Sequence, residues 1–417
     1  MKKIMIFAAI LCCLATLNGS NTAGSIFFAD SYMLRASGIE AIYWNPAKLS
    51  SSSHHELWLP LTDFGIYVAN NSLDLDTYNY VVSRDTLNTE DKERICRDLD
   101  GALRLSSGGN ISLFGLSWGN QAISSSVKFY AKGAISEKFL RLALYGNTED
   151  EYIFYESNNN ASSMAYTDIT YGMGDFVIPW IPEMLPQIKA GFSASFLVGL
   201  YSASTEDYAG YFTNDIDSGA NFRQEVNLRT GIGGYGFKSM LGVYSEITPH
   251  LEAGITLDNI FGVISWELDR ELYGFYAAAD SIYAANIDED IIDTDDFSED
   301  IDTFSTSLPP ELRMAVMYKN RLGSLSVDWV QGFRESAVTN ATGRLSFGAS
   351  ILPVPIIPLS LGVSLPNSRV PLKVSYGIGL RLKKSELGLA VQSFDSILPG
   401  SSSKGIAFAM NFKIGFR

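Results

Sequence analysis

Along most of this chain, apolar residues alternate one by one with polar or small ones. The last stretch, Gly405 to Arg417, shows the pattern: Ile406, Phe408, Met410, Phe412, Ile414 and Phe416 share one parity, and Gly405, Ala407, Ala409, Asn411, Lys413 and Gly415 the other. That is the period of a β-strand with one greasy face and one small or polar face. Read back from the C-terminus, the alternation predicts strands at Lys404–Phe416, Glu386–Ser393, Pro371–Leu382, Ile357–Leu365, Ala341–Ile351, Gly323–Phe333, Glu311–Lys319, Leu251–Leu268, Phe222–Ile247, Gln187–Tyr201, Met164–Val177, Gln121–Ala134, Asn110–Trp118 and His55–Ala69. Short connections (Lys383–Ser385, Asn320–Leu322) alternate with longer ones (Phe394–Ser403, Arg334–Asn340), as periplasmic turns and surface loops do in a transmembrane β-barrel. Fourteen is an even number, as a bacterial barrel requires. Splitting Phe222–Ile247, and Leu251–Leu268 at Asp258-Asn259, gives sixteen, which is even too.

The two faces differ in kind. Leu372, Val374, Tyr376, Ile378, Leu380 and Leu382 are expected to face lipid, with Lys373, Ser375, Gly377, Gly379 and Arg381 facing inward; Leu312, Met314, Val316 and Tyr318 oppose Arg313 and Lys319. Arg313, Lys373, Arg381 and Lys413 therefore mark a polar, partly filled lumen. Composition agrees: 46% of the 417 residues are hydrophobic and only 18% charged, against about 25% charged in soluble proteins. The chain holds 24 Phe, 21 Tyr and 6 Trp, a supply for interfacial girdles. Beyond the N-terminus no run of about 18 apolar residues occurs, which excludes a helical membrane protein. The fold class is all-β, a closed antiparallel transmembrane barrel of about fourteen strands; the competing soluble sandwich would bury the apolar parity against a second sheet.

Lys2 and Lys3 precede the apolar run Ile4 to Leu17 and a small-residue stretch, the form of a cleaved signal peptide over residues 1–22. Its removal leaves Cys96 as a lone cysteine. A net charge of −15 argues against nucleic acid as a partner. Two short helices are expected outside the cell, Glu90–Leu99 capped by Thr89 and Glu137–Leu144 capped by Ser136. Residues 23–53 lack clear periodicity and precede the barrel, 54–417.

Candidate chemistry is sparse. Nine acidic residues between Asp288 and Asp302 read as a solvated surface loop, since the spacing lacks the order of a calcium loop. Gly231, Gly233, Gly234 and Gly236 satisfy a G-x-G-x-x-G pattern with no helix after it, so they mark a strand kink or bulge rather than a dinucleotide site. Adjacent His54 and His55 point to opposite faces, and His250 stands apart, so no metal site is expected. Ser, His and acidic residues form no triad, and neither catalysis nor a cofactor is expected.

One segment carries more. RASGIEAIYWNPAKLS (Arg35 to Ser50), a small-residue stretch running into Asn45-Pro46-Ala47 before the first strand, resembles the N-terminal plug of the long-chain fatty-acid transporter (FadL) superfamily. Together with NNSLDLDTYN (Asn70 to Asn79), the charged helix near Thr89 and GLSWGN (Gly115 to Asn120), it is similar to PorV-like and uncharacterised relatives of Bacteroidota-type diderm bacteria. The resemblance implies fourteen strands, a tight turn at Thr248-Pro249-His250, and outer-membrane lipid around the barrel. It also implies a plug over residues 23–53 in which Asn45, Pro46 and Ala47 gate and Arg35 anchors. Two functions follow from it: a passive channel for small hydrophobic molecules, with a lateral gap at Gly231–Gly236 as one exit, or a PorV-like scaffold for secreted proteins. A continuous apolar pocket beside the plug would favour the first, a solid polar interior the second. The resemblance makes the terminal aromatics, Phe412 and Phe416, the signal read by the barrel assembly machinery. Phe416→Asp is therefore expected to lower the amount of barrel recovered in the outer membrane, and an unchanged yield would contradict that role.

Overall fold

The computed structural model describes residues 22–49, 55–84, 86–97, 99–147, 151–179, 186–215, 219–282, 292–336, 338–354, 356–367 and 370–416. The stretch read as a signal peptide, up to residue 21, the plug residues 50–53, His54 and Asp288–Asp290 lie outside them. One antiparallel sheet curls round and closes on itself. Its strands are β1 (His55–Trp58 and Asp63–Asn70), β2 (Ala102–Trp118), β3 (Gln121–Ser136), β4 (Glu151–Tyr155 and Asn160–Val177), β5 (Ile188–Asp215), β6 (Gly219–Thr248), β7 (Leu251–Ile282), β8 (Asp293–Asp300, Phe304–Ser307 and Glu311–Lys319), β9 (Gly323–Gly332), β10 (Arg344–Val354), β11 (Ile357–Ser364), β12 (Lys373–Arg381), β13 (Ser385–Phe394) and β14 (Gly405–Phe416). The ring is sealed by β14 pairing with β1, from His55 opposite Phe416 to Ala69 opposite Gly405. Fourteen strands stand, and neither proposed split occurs: β6 and β7 are single strands joined by a turn at Pro249-His250. Asp258-Asn259 is a bulge, with positive φ at Asn259 and Phe261, rather than a turn.

Where the structure departs from the alternation, the strands are longer than their apolar stretches. At about 3.3 Å per residue, the 32 residues of β7 run to roughly 100 Å, whereas a strand needs only about 9–11 residues to cross a bilayer. The upper halves of β5 to β7 therefore rise as a sheet beyond the membrane. The acidic stretch read as a loop is part of this sheet: Asp293–Asp300 pairs with Glu271–Ala278 of β7, every residue exposed. It has no apolar alternation because it packs on nothing, and its carboxylates repel further strands from an edge that would otherwise template aggregation. Two of the helices are close to expectation. One is Thr89–Cys96, capped by Asn88 rather than Thr89 because Asn88 and Asp91 satisfy each other's backbone N–H groups; the other is Glu137–Tyr145, capped by Ser136. A third helix, Leu75–Val82, begins at Asp74, whose carboxylate accepts the Thr77 N–H. All three lie at the end of the barrel that carries the long connections, opposite the chain termini.

Glycines 231–236 mark an irregularity in the wall. Gly231, Ile232, Gly234, Tyr235 and Gly236 pair in succession with Ser202, Tyr201, Gly199, Val198 and Leu197 of β5. Gly233, at φ +61°, steps out of the ladder on both sides, which glycine does without strain, and on the β7 side Gly231 is unpaired too, with a register shift between Thr230 and Ile232. The kink expected at Gly231–Gly236 is thus a bulge that interrupts the ladder without ending it.

The outer surface is an apolar belt: Val68, Phe196, Leu241, Ile255, Val316, Leu361 and Ile378 are all exposed. Among the described residues no helix is long and apolar enough to cross a membrane. Inside, Asp168, Arg313, Lys373 and Ser375 are buried. Ser375 donates to Gln392 at 2.9 Å and has no exposure, so the lumen is packed there and an arginine at this position would not fit. Ile378→Arg places a charge against lipid and is expected to cost about 2–4 kcal/mol at mid-membrane depth, measured by reversible unfolding in lipid vesicles, whereas Ile378→Val stays near neutral. An arginine variant as stable as the parent would contradict the lipid-facing assignment.

Candidate functional site

Residues 22–49 sit inside the barrel as a folded plug of short helical turns: Ala23–Phe27, Gly38–Glu40, Ala41–Trp44 and Pro46–Lys48. Its apolar side chains Met33, Leu34, Ile39, Ile42, Trp44 and Ala47 form one buried cluster with Trp58, Tyr244 and Met317 of the wall. Backbone approaches wall backbone wherever the inward position is glycine. Around Asn45-Pro46-Ala47 there are four of these, Gly174, Gly191, Gly242 and Gly254, on β4, β5, β6 and β7. A Cβ at Gly174 or Gly191 would overlap the Pro46 carbonyl or the Ala47 nitrogen, and one at Gly242 the Asn45 side chain. Asn45 closes its own turn by accepting from Ala47 N at 3.1 Å, and donates from Nδ2 to the Val243 carbonyl at 3.1 Å. The triplet is thus a knuckle seated in a glycine-lined notch.

The rest of the plug is held by charge. Asp30 lies 3.0 Å from Arg344 and 2.8 Å from Lys373. Burial alone would raise the Asp30 carboxyl, but these two cations outweigh it and hold it below the ordinary carboxylate value. Arg35 donates to Ser324 Oγ at 2.6 Å and to the Gly348 carbonyl at 2.9 Å, and stacks 4.2 Å over Phe28. Asp328 accepts from Met33 N at 3.0 Å. Glu40 takes the Tyr32 hydroxyl at 2.6 Å and pairs with Lys413 of β14. At the periplasmic end Lys48 pairs with Glu252 at 2.9 Å, and Lys319 shares the same carboxylate.

Above the plug a second layer crosses the lumen. Lys128 pairs with Asp168 at 2.6 Å and Tyr43 of the plug donates to that carboxylate at 3.2 Å. Lys238 pairs with Asp258 at 3.2 Å, and Arg313, bonded to Glu311, lies 4.8 Å over the Trp44 ring. Tyr130 and Tyr166 stack beside them, ring centres 6.1 Å apart. Small voids of about 40 and 20 Å³ lie in this layer. Toward the loop-bearing end lies a cavity of about 500 Å³ bounded by Ser106, Lys132, Ser162, Ser204 and Arg229. Toward the termini lies another of about 440 Å³ bounded by Phe27, Phe28, Leu34, Arg35, Arg381 and Lys413. The lumen is therefore two vestibules and a septum, neither a continuous apolar pocket nor a solid polar interior.

A family described only as a family of unknown function, DUF5723, matches residues 46–384, from the knuckle through β12. The chain belongs to that family. No curated protein matches it. Among solved structures, this DUF5723 chain is similar to a Pseudomonas aeruginosa FadL homologue (TM-score 0.50, 11% identity, covering 97% of this chain and 100% of that one). It is also similar to the Pseudomonas putida toluene transporter TodX (0.49, 10%, 97% and 99%) and the Ralstonia pickettii toluene transporter TbuX (0.47, 12%, 97% and 99%). At such identities the likeness to the FadL homologue is one of fold: a closed β-barrel of the FadL type. The PorV-like alternative gains no support from these comparisons.

Sequence reading had singled out Arg35, Asn45, Pro46 and Ala47, and the structure brings all four against the wall. Of the inward cations, Arg313 and Lys373 are buried in the polar layer, Lys413 meets the plug, and Arg381 is half-exposed at the periplasmic rim beside Glu386. Among the described residues no group of His, Cys, Asp or Glu is arranged to hold a metal ion. The acidic partners of these cations, Asp30, Glu40 and Glu311, escaped the sequence reading, and Asp258 entered it only as part of a possible turn. The only available signal was an unusual run of inward charges on otherwise small-residue faces. Gly191→Val is expected to push the knuckle out of its notch, making residues 22–49 protease-sensitive in a barrel that still migrates as folded before heating. A plug that stays protected would contradict the role of the notch.

Proposed function

We propose that this protein is a plug-gated passive channel of the outer membrane for small, largely hydrophobic molecules. The observation that supports it best is the division of the lumen into two vestibules of about 500 and 440 Å³ by a layer of paired charges and aromatic rings. An apolar patch on one side of the lumen supports the class of cargo. Met164, Leu197, Ile264, Trp266 and Leu308, with Phe304 and Val338 against them, cluster directly under the outer vestibule. A molecule entering from outside would rest there until the plug shifts. Shifting need not unfold the barrel, because the plug meets the wall through side chains and a glycine notch rather than through strand pairing.

Cells of a diderm host expressing the protein are expected to take up a labelled monoaromatic hydrocarbon faster than cells without it. A variant that loses the Asn45 contacts, Asn45→Ala, is expected to raise the rate further, since one hydrogen bond contributes about 0.5–1.5 kcal/mol to seating. Equal uptake in all three strains, with the barrel present in the membrane, would contradict the proposal.

A further inference from the structure

The wall of the outer vestibule is graded. In one upper row Ser106, Lys132, Ser162, Ser204 and Arg229 stand directly opposite one another across β2 to β6, so they share the inner face, with Arg104, Ala134 and Asn160 a row above them. One step down the row is Tyr130, Met164, Ser202 and Gly231; a further step brings Lys128, Tyr166, Gly199, Gly234 and Trp266. Hydroxyls thus give way within two rungs to aromatic and thioether surface. The two cations of that row are already engaged, Lys132 with Glu335 at 2.7 Å and Arg229 with Glu206 at 2.9 Å, and Arg104 above them donates to the Asp100 carbonyl at 3.2 Å. The hydroxyls of Ser162, Ser202 and Ser204 make no hydrogen bond to any described residue.

We infer that the outer vestibule binds a neutral amphiphile, with a hydroxyl-rich head on the serine row and an apolar or aromatic body on the Tyr130–Met164–Trp266 side below. Serine hydroxyls both donate and accept, which suits a polyol head whose own hydroxyls do the same. A free anion would have to compete with Glu335 and Glu206 for Lys132 and Arg229, or draw Arg104 from the Asp100 carbonyl. A plain hydrocarbon would leave the serine row unmatched and displace ordered water from it at a loss. The volume, about 500 Å³, accommodates a molecule of aryl-glycoside size. This deepens the channel reading and rests on it only for the ligand's onward route.

The test titrates the full-length protein, held in a polyoxyethylene detergent that has no sugar head, with para-nitrophenyl β-glucoside, para-nitrophenyl β-glucuronide, glucose and toluene, using calorimetry. The glucoside is expected to bind at least tenfold more tightly than glucose or toluene, and the glucuronide no more tightly than the glucoside. Ser162→Val and Ser204→Val are each expected to weaken the glucoside about threefold to tenfold and to leave toluene binding unchanged, in barrels that remain heat-modifiable. Toluene binding as tightly as the glucoside, serine variants without effect, or a preference for the glucuronide would each overturn the inference. Glucoside binding without faster hydrocarbon uptake by cells would leave this site standing and remove the channel reading; the reverse pair of results would do the opposite.

Discussion

A folded peptide fits inside a fourteen-stranded barrel only if the wall yields it room and its polar groups find partners there. Both conditions are written on the inward face of the strands. Glycine at 174, 191, 242 and 254 lets the Asn45-Pro46-Ala47 backbone touch the wall, and charges placed among serines meet those of the plug. Each of these pairs is out of water, so neither partner is easily spared. Removing one member of a buried pair leaves an uncompensated charge and typically costs about 3–5 kcal/mol, although the intact pair adds little net stability. The pairs therefore specify where the plug sits more than they strengthen the barrel.

This division of labour explains how one chain can be both rigid and gated. The backbone ladder runs from β1 round to β14 without a free edge at membrane depth, because lipid offers an unpaired N–H or C=O no substitute partner. The plug adds nothing to that ladder. Its attachment is a set of discrete side-chain contacts, Arg35 to Ser324 and Gly348, Lys48 to Glu252 and Asn45 to Val243, which can be exchanged for water when a vestibule fills. The layer of Lys128, Asp168, Lys238, Asp258 and Arg313 belongs to the wall, but Tyr43 and Trp44 of the plug complete it, through the hydrogen bond to Asp168 and the ring beneath Arg313.

The barrel was legible in the sequence because a strand between lipid and a polar lumen must alternate. The last segment of β8, Glu311–Lys319, and the strands from β9 to β14 differ from expectation by only a few residues at their ends. Legibility stopped where that constraint stops. Beyond the membrane, Asp293–Asp300 forms a strand through its pairing with β7 and not through any pattern of its own, and Asp269, at φ +40°, breaks the parity that would have carried β7 to Ile282. The helix Leu75–Val82 announced itself only by the Asp74 cap. In the plug, Asn45-Pro46-Ala47 was visible as a motif. Its partners were not, because Asp30 meets Arg344 and Lys373 across more than three hundred residues and no local pattern connects them.

The central claim is that seated plug side chains, and not the wall alone, close the lumen. Ion conductance of the purified protein in a planar bilayer tests it most directly, comparing the parent with a variant whose plug contacts are cut together, Arg35→Ala with Asn45→Ala and Lys48→Ala. The parent is predicted to be silent and the variant to open in discrete steps; a conducting parent, or a silent variant with its plug released, would contradict the account.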